Sequence, residues 1–198
     1  MPTLSTDPLE ILLASDAWAT RKLLERCRNL SREQFHQKFE IGLGSLHETL
    51  THIVGTMRRW TDRIDGRPLR PALSPVPGRP DIPTDAKIRT PDELLEMLTP
   101  AQQDLLAVAR KYRDMPGGFA GHVILDWPKK NANGENATHR YTLTRGACLV
   151  HVCTHGFHHR AQCLNMLRQL KALAPGEDMP LSSTMEWQID VESPAVVI

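Results

Sequence analysis

HVCTHGFHHRAQCLNMLRQL, residues 151–170, is the stretch whose reading decides the fold. Leu149, Val152, Gly156, His159, Cys163, Met166 and Leu170 recur at alternating spacings of three and four, which on a helix draws one seam facing neighbouring helices. His159 lies in that seam. At about 100° per residue, His155 falls close beside it, while His151 and His158 fall on the outer face. Two imidazoles four residues apart sit one turn above each other, and helical metal sites draw two ligands from that spacing. A third ligand must then come from elsewhere in the chain. The alternative is that His159 is a core histidine satisfied by a hydrogen bond and the other histidines are solvated. The pattern departs from HExxH, because Gly156 stands where a metalloprotease carries its general base.

Outward from this stretch, composition narrows the possibilities. A chain of 198 residues fits one domain with a full-sized core. With 24 basic and 23 acidic residues the formal charge is +1, so there is no electrostatic case for nucleic acid as a partner. The N-terminus MPTLSTDPLE lacks the features of an export signal, and no apolar run is long enough to span a membrane. A cytoplasmic location is therefore expected. Cys27, Cys148, Cys153 and Cys163 form no CxxC and read as reduced core thiols. Cys163, one turn beyond His159, is also a conceivable soft-metal ligand.

Four long helices are predicted, near residues 7–30, 45–65, 91–113 and 144–172. Asp7-Pro8-Leu9-Glu10 and Thr90-Pro91-Asp92-Glu93 each combine a capping residue, a first-turn proline and a glutamate that can close a capping box. Trp18 reads as a packing residue of the first helix, and Ser31 as the start of a short turn-like helix. Leu46, Leu50, Ile53, Met57, Trp60 and Ile64 give the second helix a seam with steps of four and three. His47 and His52 flank that seam on opposite sides, and periodicity alone does not choose between them. Pro100 should kink or restart the third helix.

Prolines at 68, 71, 75, 77, 80, 83 and 91 forbid regular helix over residues 66–90 and indicate a stiff crossover spanning the bundle. GHVILDW and ATHRYTL, separated by the turn-rich PKKNANGEN, predict a small β-hairpin within 116–143, with His122 and His139 as surface histidines. Pro175-Gly176 ends the last long helix, and residues 176–198, with Trp187 and Val191, read as a tail docked on the bundle.

In LLASDAWATRKLLE, SLHETLTHIVGTMRRW, the hairpin and HVCTHGFHHRAQ, the chain resembles the DinB-like family of metal-binding four-helix bundles, which is distinct from the similarly named DNA polymerase. The likeness spans most of the chain and rests on the order of these pieces. It implies an all-α, antiparallel four-helix bundle with a long crossover, forming one domain over residues 1–198. It also implies one divalent ion, zinc or nickel, held by His52, His155 and His159, and so favours His52 over His47. Many members carry an acidic residue three positions before the tryptophan; here Met57 occupies that place.

Three protein ligands leave a coordination position for water or substrate. Relatives in the wider superfamily use low-molecular-weight thiols, in S-transferases and a thiol-dependent isomerase. The resemblance therefore implies a thiol-dependent transferase acting on a small-molecule substrate, with Arg160 a possible orienting residue. Metal-assisted hydrolysis and a non-catalytic, metal-binding stress-response role are the competing readings. Exposed bundle faces make a homodimer an expectation.

Overall fold

Asp7 starts the first helix as a true N-cap: its carboxylate accepts the backbone N–H groups of Leu9 and Glu10, and Pro8 occupies the first turn. In a computed structural model that describes residues 4–76, 79–130, 132–173 and 184–192, this helix, α1, spans Pro8–Cys27. It stops short of Leu30 because residues 28–30 tighten into a turn, with Asn29 N–H donating to Arg26 and Leu30 N–H to Cys27. Ser31 then caps the short α2 (Arg32–His36) through a complete capping box with Gln34.

Ser45 caps α3 (Leu46–Asp65), and Gly66, in the left-handed region at φ 69°, closes it. Leu46, Leu50, Ile53, Met57 and Ile64 are buried as the seam requires, but Trp60 is only half-buried and turns to a cleft beside the bundle. Thr90 and Glu93 form the capping box of α4 (Pro91–Arg113). This helix runs through Pro100 without restarting. One missing N–H and one crowded carbonyl are offset by a face that buries Leu94, Leu98, Leu105 and Val108.

After a 3-10 turn at Gly118–Ala120, strands β1 (His122–Lys130) and β2 (Asn136–Thr144) pair antiparallel, with Trp127 opposite His139. The strand extends through Pro128, which had looked like part of the turn. A two-stranded ribbon has open edges, and a proline there need remove no ladder bond. Thr144 caps α5 (Arg145–Gln169), which ends three residues earlier than expected. Lys171 adopts φ 54° and Ala172 N–H closes back on Leu167, a left-handed C-terminus ahead of the proline. A last helix, α6 (Thr184–Val191), packs on α1. Trp187 is buried there, Trp18 donates its indole N–H to Asp190, and Val191 is exposed. The rest of the tail, 176–183 and 193–198, lies outside the described residues.

The described residues thus form a mainly helical bundle with a small hairpin before the last long helix. Helix α1 packs on α4 and α5, and α3 packs on the same two, so the ring order is α1, α4, α3, α5. Glu10 near the start of α1 meets Arg110 and Arg113 near the end of α4, which makes that pair antiparallel. Arg145 at the start of α5 donates to the carbonyl of Ile64 near the end of α3, which makes the second pair antiparallel too.

Between the pairs, the crossover of residues 66–90 carries the chain end to end, so α3 and α4 run parallel; Tyr112 reaches Asp65, and Arg89 N–H reaches His47. Two buried arginines, Arg59 and Arg89, and the half-buried Arg70 hold this proline-rich segment. Arg59 donates to Arg70 O, Arg70 to Asp62 and Arg58 O, and Arg89 to Asp85. A Cβ on Gly55 would stand 3.3 Å from Leu73, so the crossover lies against α3 itself.

Candidate metal centre

The antiparallel contact of α3 with α5 decides which histidines meet. His52 lies nearly two turns inside α3 from its buried start, and His155 and His159 lie one turn apart on the facing side of α5. Nε2 of His155 is 3.0 Å from Nε2 of His52 and 3.1 Å from Nε2 of His159. One ligand atom from each of the three lies within 4.8 Å of the others, so the group could hold a metal ion. All three rings are half-buried.

Burial sets their charge. It pushes the His52 imidazole down to about 4 with His159 adding repulsion, and His155 down to about 3 with His159 and His52 beside it. His159 is lowered as well, chiefly by burial, against the opposing effect of its hydrogen bond to Gln162. The set is therefore neutral at physiological pH, the form in which imidazole is a ligand.

Three neutral imidazoles converging through Nε2 suit a cation better than one another. His155 Nε2 faces two other ring nitrogens, and a single N–H cannot satisfy both with good geometry. Nitrogens held 2.0–2.1 Å from a tetrahedral zinc would stand about 3.3 Å apart, close to the spacing seen. A second shell is also in place. His159 Nδ1 is 2.8 Å from Gln162 Oε1, while Gln162 Nε2 is 3.0 Å from His158 Nε2. With the amide so oriented, Nδ1 of His159 carries the proton and Nε2 is left with its lone pair. Gly42 makes this possible: it sits at φ +52°, and a Cβ there would fall 2.2 Å from Gln162 Oε1. Thr56, one turn after His52, brings its hydroxyl to 3.4 Å from His52 Nε2.

The remaining residues singled out in the sequence go elsewhere. His47 packs tilted against His36 and accepts the N–H of Arg89 at 3.1 Å, on the opposite flank of α3. His151 is exposed and rests edge-on against Trp60. His122 and His139 stay in the hairpin. Cys163 is fully buried beside Cys27 and Thr49, where burial raises its thiol well above the usual range, and it does not join the triad. All four cysteines are free and buried. Met57 is a core residue.

Arg160 points away from the triad and is committed to α1. Its Nη1 donates to Asp16 Oδ1 at 2.5 Å and to Thr20 Oγ1 at 3.1 Å, and both partners of the ion pair are nearly sealed from solvent. A role in orienting a substrate at the histidines is thereby replaced by a structural one. Gly156 is what admits this pair, since a Cβ there would lie 2.6 Å from Asp16 Oδ1. The glycine in the glutamate position of HExxH is thus a packing requirement.

A cleft of about 200 Å³ opens from the triad, with His52 and His155 in its wall, between α3, the crossover and β1. Trp60, Val76, Leu125 and Trp127 give it an apolar lining, and no carboxylate lines it among the described residues. The sequence reading missed Gln162, Thr56 and the cleft. Gln162 had a signal available, three residues after His159 on the same face, whereas the crossover and hairpin walls had none.

Fold and site together define a helical bundle with a three-histidine centre able to hold one metal ion and open to a cleft. The family model described as "DinB family" matches residues 3–192, and the chain belongs to that family. It is also similar to Protein DinB of Bacillus subtilis (strain 168), with 23% identity over 154 residues that cover 78% of this chain and 81% of that protein. Among the described residues no helix is long and apolar enough to cross a membrane.

Proposed function

We propose that the protein is a metalloenzyme of the thiol-dependent S-transferase type, with one zinc or nickel ion held by Nε2 of His52, His155 and His159. The observation that supports it is a three-imidazole set with no fourth protein ligand among the described residues, opening onto an apolar cleft. Structural zinc sites are closed by four protein ligands, whereas catalytic ones keep a position free. A bound divalent ion would supply the charge that holds a coordinated thiol in its thiolate form near neutral pH.

The chain's own residues do the rest. Gln162 fixes the ring of His159, and Trp60, Leu125 and Trp127 keep water from the sulfur's surroundings. The thiolate sulfur then forms a bond to an electrophilic carbon of the second substrate as the leaving group departs with its electron pair. The thiol has to be a separate small molecule, since all four cysteines of the chain are buried and none lines the cleft.

Metal-assisted hydrolysis would use the same open position. It gains most from a carboxylate base beside the attacking water, and Met57 and the cleft lining offer none. This favours a thiol, which needs only to lose its proton. Elemental analysis should find one zinc or nickel per chain. Titrating the loaded protein with cysteine and with glutathione, in buffers of different ionisation enthalpy, should show binding with release of about one proton near pH 7. The signal should vanish in His155→Ala. If neither these nor other cellular thiols bind the loaded protein, the transferase reading fails, and a hydrolase or a non-catalytic metal protein replaces it.

A further inference from the structure

The cleft has a second chemical feature at the end away from the histidines. Arg59 and Arg63 follow His52 by seven and eleven residues, which at about 100° per residue returns each to within about 20° of the same face of α3. Both residues line the cleft, their α-carbons about 10 and 16 Å along the helix from that of His52 by its rise of about 1.5 Å per residue. They also line the adjoining cleft under β1, so they are reachable from that side too.

Most arginines of this region are committed. Arg67 and Arg70 pair with Asp62 and Asp104, and Arg79 pairs with Asp81. Arg59 donates one bond to Arg70 O and is nearly sealed. The Arg63 guanidinium has neither an ion pair nor a hydrogen bond among the described residues; it lies over the Trp60 ring at 5.3 Å. A half-buried guanidinium that no protein acceptor binds, with Arg59 and Arg79 outweighing Asp62 among its charged neighbours, is open to an anion from solvent. Burial, with Arg59 and Arg79 adding repulsion, pushes Arg63 down to about 10.

We propose that this end of the cleft is an anion subsite: Arg63, with Arg59 behind it, holds the carboxylate or phosphate of a small substrate whose apolar body lies between Trp60 and Trp127, directed at His52 and His155. The inference rests on the metal-centre reading only for which end of the substrate reacts. The anion preference stands by itself. A cleft of about 200 Å³ lies below the usual range for drug-sized ligands, so the molecule it takes is small.

The test uses the full chain, freed of metal so that no ion competes for the carboxylate. 4-Phenylbutyrate and its uncharged amide, 4-phenylbutanamide, are titrated at pH 7.5 by calorimetry or by NMR shift perturbation. The acid should bind about tenfold or more tightly than the amide, because only the acid forms a charge-assisted bond to the guanidinium. Arg63→Gln should abolish that ratio and Arg63→Lys should keep part of it, with helical content unchanged. Equal binding of acid and amide, no binding of the acid, or an undiminished preference in Arg63→Gln would each overturn the proposal. Zinc stoichiometry of the same Arg63→Gln protein, measured separately, should stay at one per chain, so failure of the metal centre is read independently of failure of the anion subsite.

Discussion

Nδ1 of His159 lies 2.8 Å from Oε1 of Gln162, and the α-carbon of Gly42 leaves the space in which that amide sits. One turn of α5 thus carries both a ligand and the group that selects its tautomer. Gln162→Leu should weaken zinc binding by about 10–100-fold, the usual effect of removing such a partner, without loss of helicity. Gly42→Ala should do part of the same by pushing the amide aside. Competition with a zinc-sensitive dye measures both, and an unchanged affinity in Gln162→Leu would show that the bond to His159 does not matter.

Metal should stabilise the fold through the α3–α5 contact. With free zinc at 100 times its dissociation constant, the metal-loaded protein should be more stable to unfolding by about 2.7 kcal/mol than the chelator-treated one. His52→Ala and His159→Ala should each remove the difference. His47→Ala should retain it, because His47 faces Arg89 instead. Loss of zinc from His47→Ala with retention in His52→Ala would mean the wrong histidine of α3 is credited.

Acid should destabilise the protein in part through His47. Burial, with His36 next in effect, pushes this imidazole down to about 4, against 6.5 when it is free. Between those values the unfolded chain binds the proton and the folded chain does not, so stability falls as pH drops from about 6.5 towards 4. His47→Gln should flatten that slope by up to one proton in urea titrations. An identical pH slope in wild type and variant would dismiss the assignment.

The pair of Asp16 and Arg160 should govern stability and leave metal stoichiometry alone. Asp16→Ala strands a buried guanidinium and should cost about 3–5 kcal/mol. Gly156→Ala forces a methyl between the two and should cost about 1–3 kcal/mol. Urea unfolding reads both, and one zinc per folded chain should persist. Loss of metal at full stability in either variant would place Arg160 in the site after all.

Much of the bundle was legible because its signals are local. Capping at Asp7, Ser31 and Thr90 is an interaction between residues two or three apart, and the seams of α3 and α5 are periodic within one helix. The i, i+4 pair of His155 and His159 is local in the same sense. Helix ends were less accurate, since the turn at residues 28–30 and the left-handed Lys171 arise from backbone bonding that side-chain patterns do not record.

By itself the sequence determined that the chain forms four long helices with a hairpin before the last and that two imidazoles share a helix face, because periodicity and capping act over distances shorter than a few turns, while the family likeness implied the bundle. Family likeness, not the helical wheel, pointed to His52. Only the tertiary structure decided that His52 and not His47 reaches the pair, that Arg160 turns to Asp16, and that Arg59, Trp60 and Arg63 look into one cleft. Each of these depends on which neighbour covers each flank of a helix. The ring order of the bundle and the path of the crossover set that, and no spacing within a single helix encodes either.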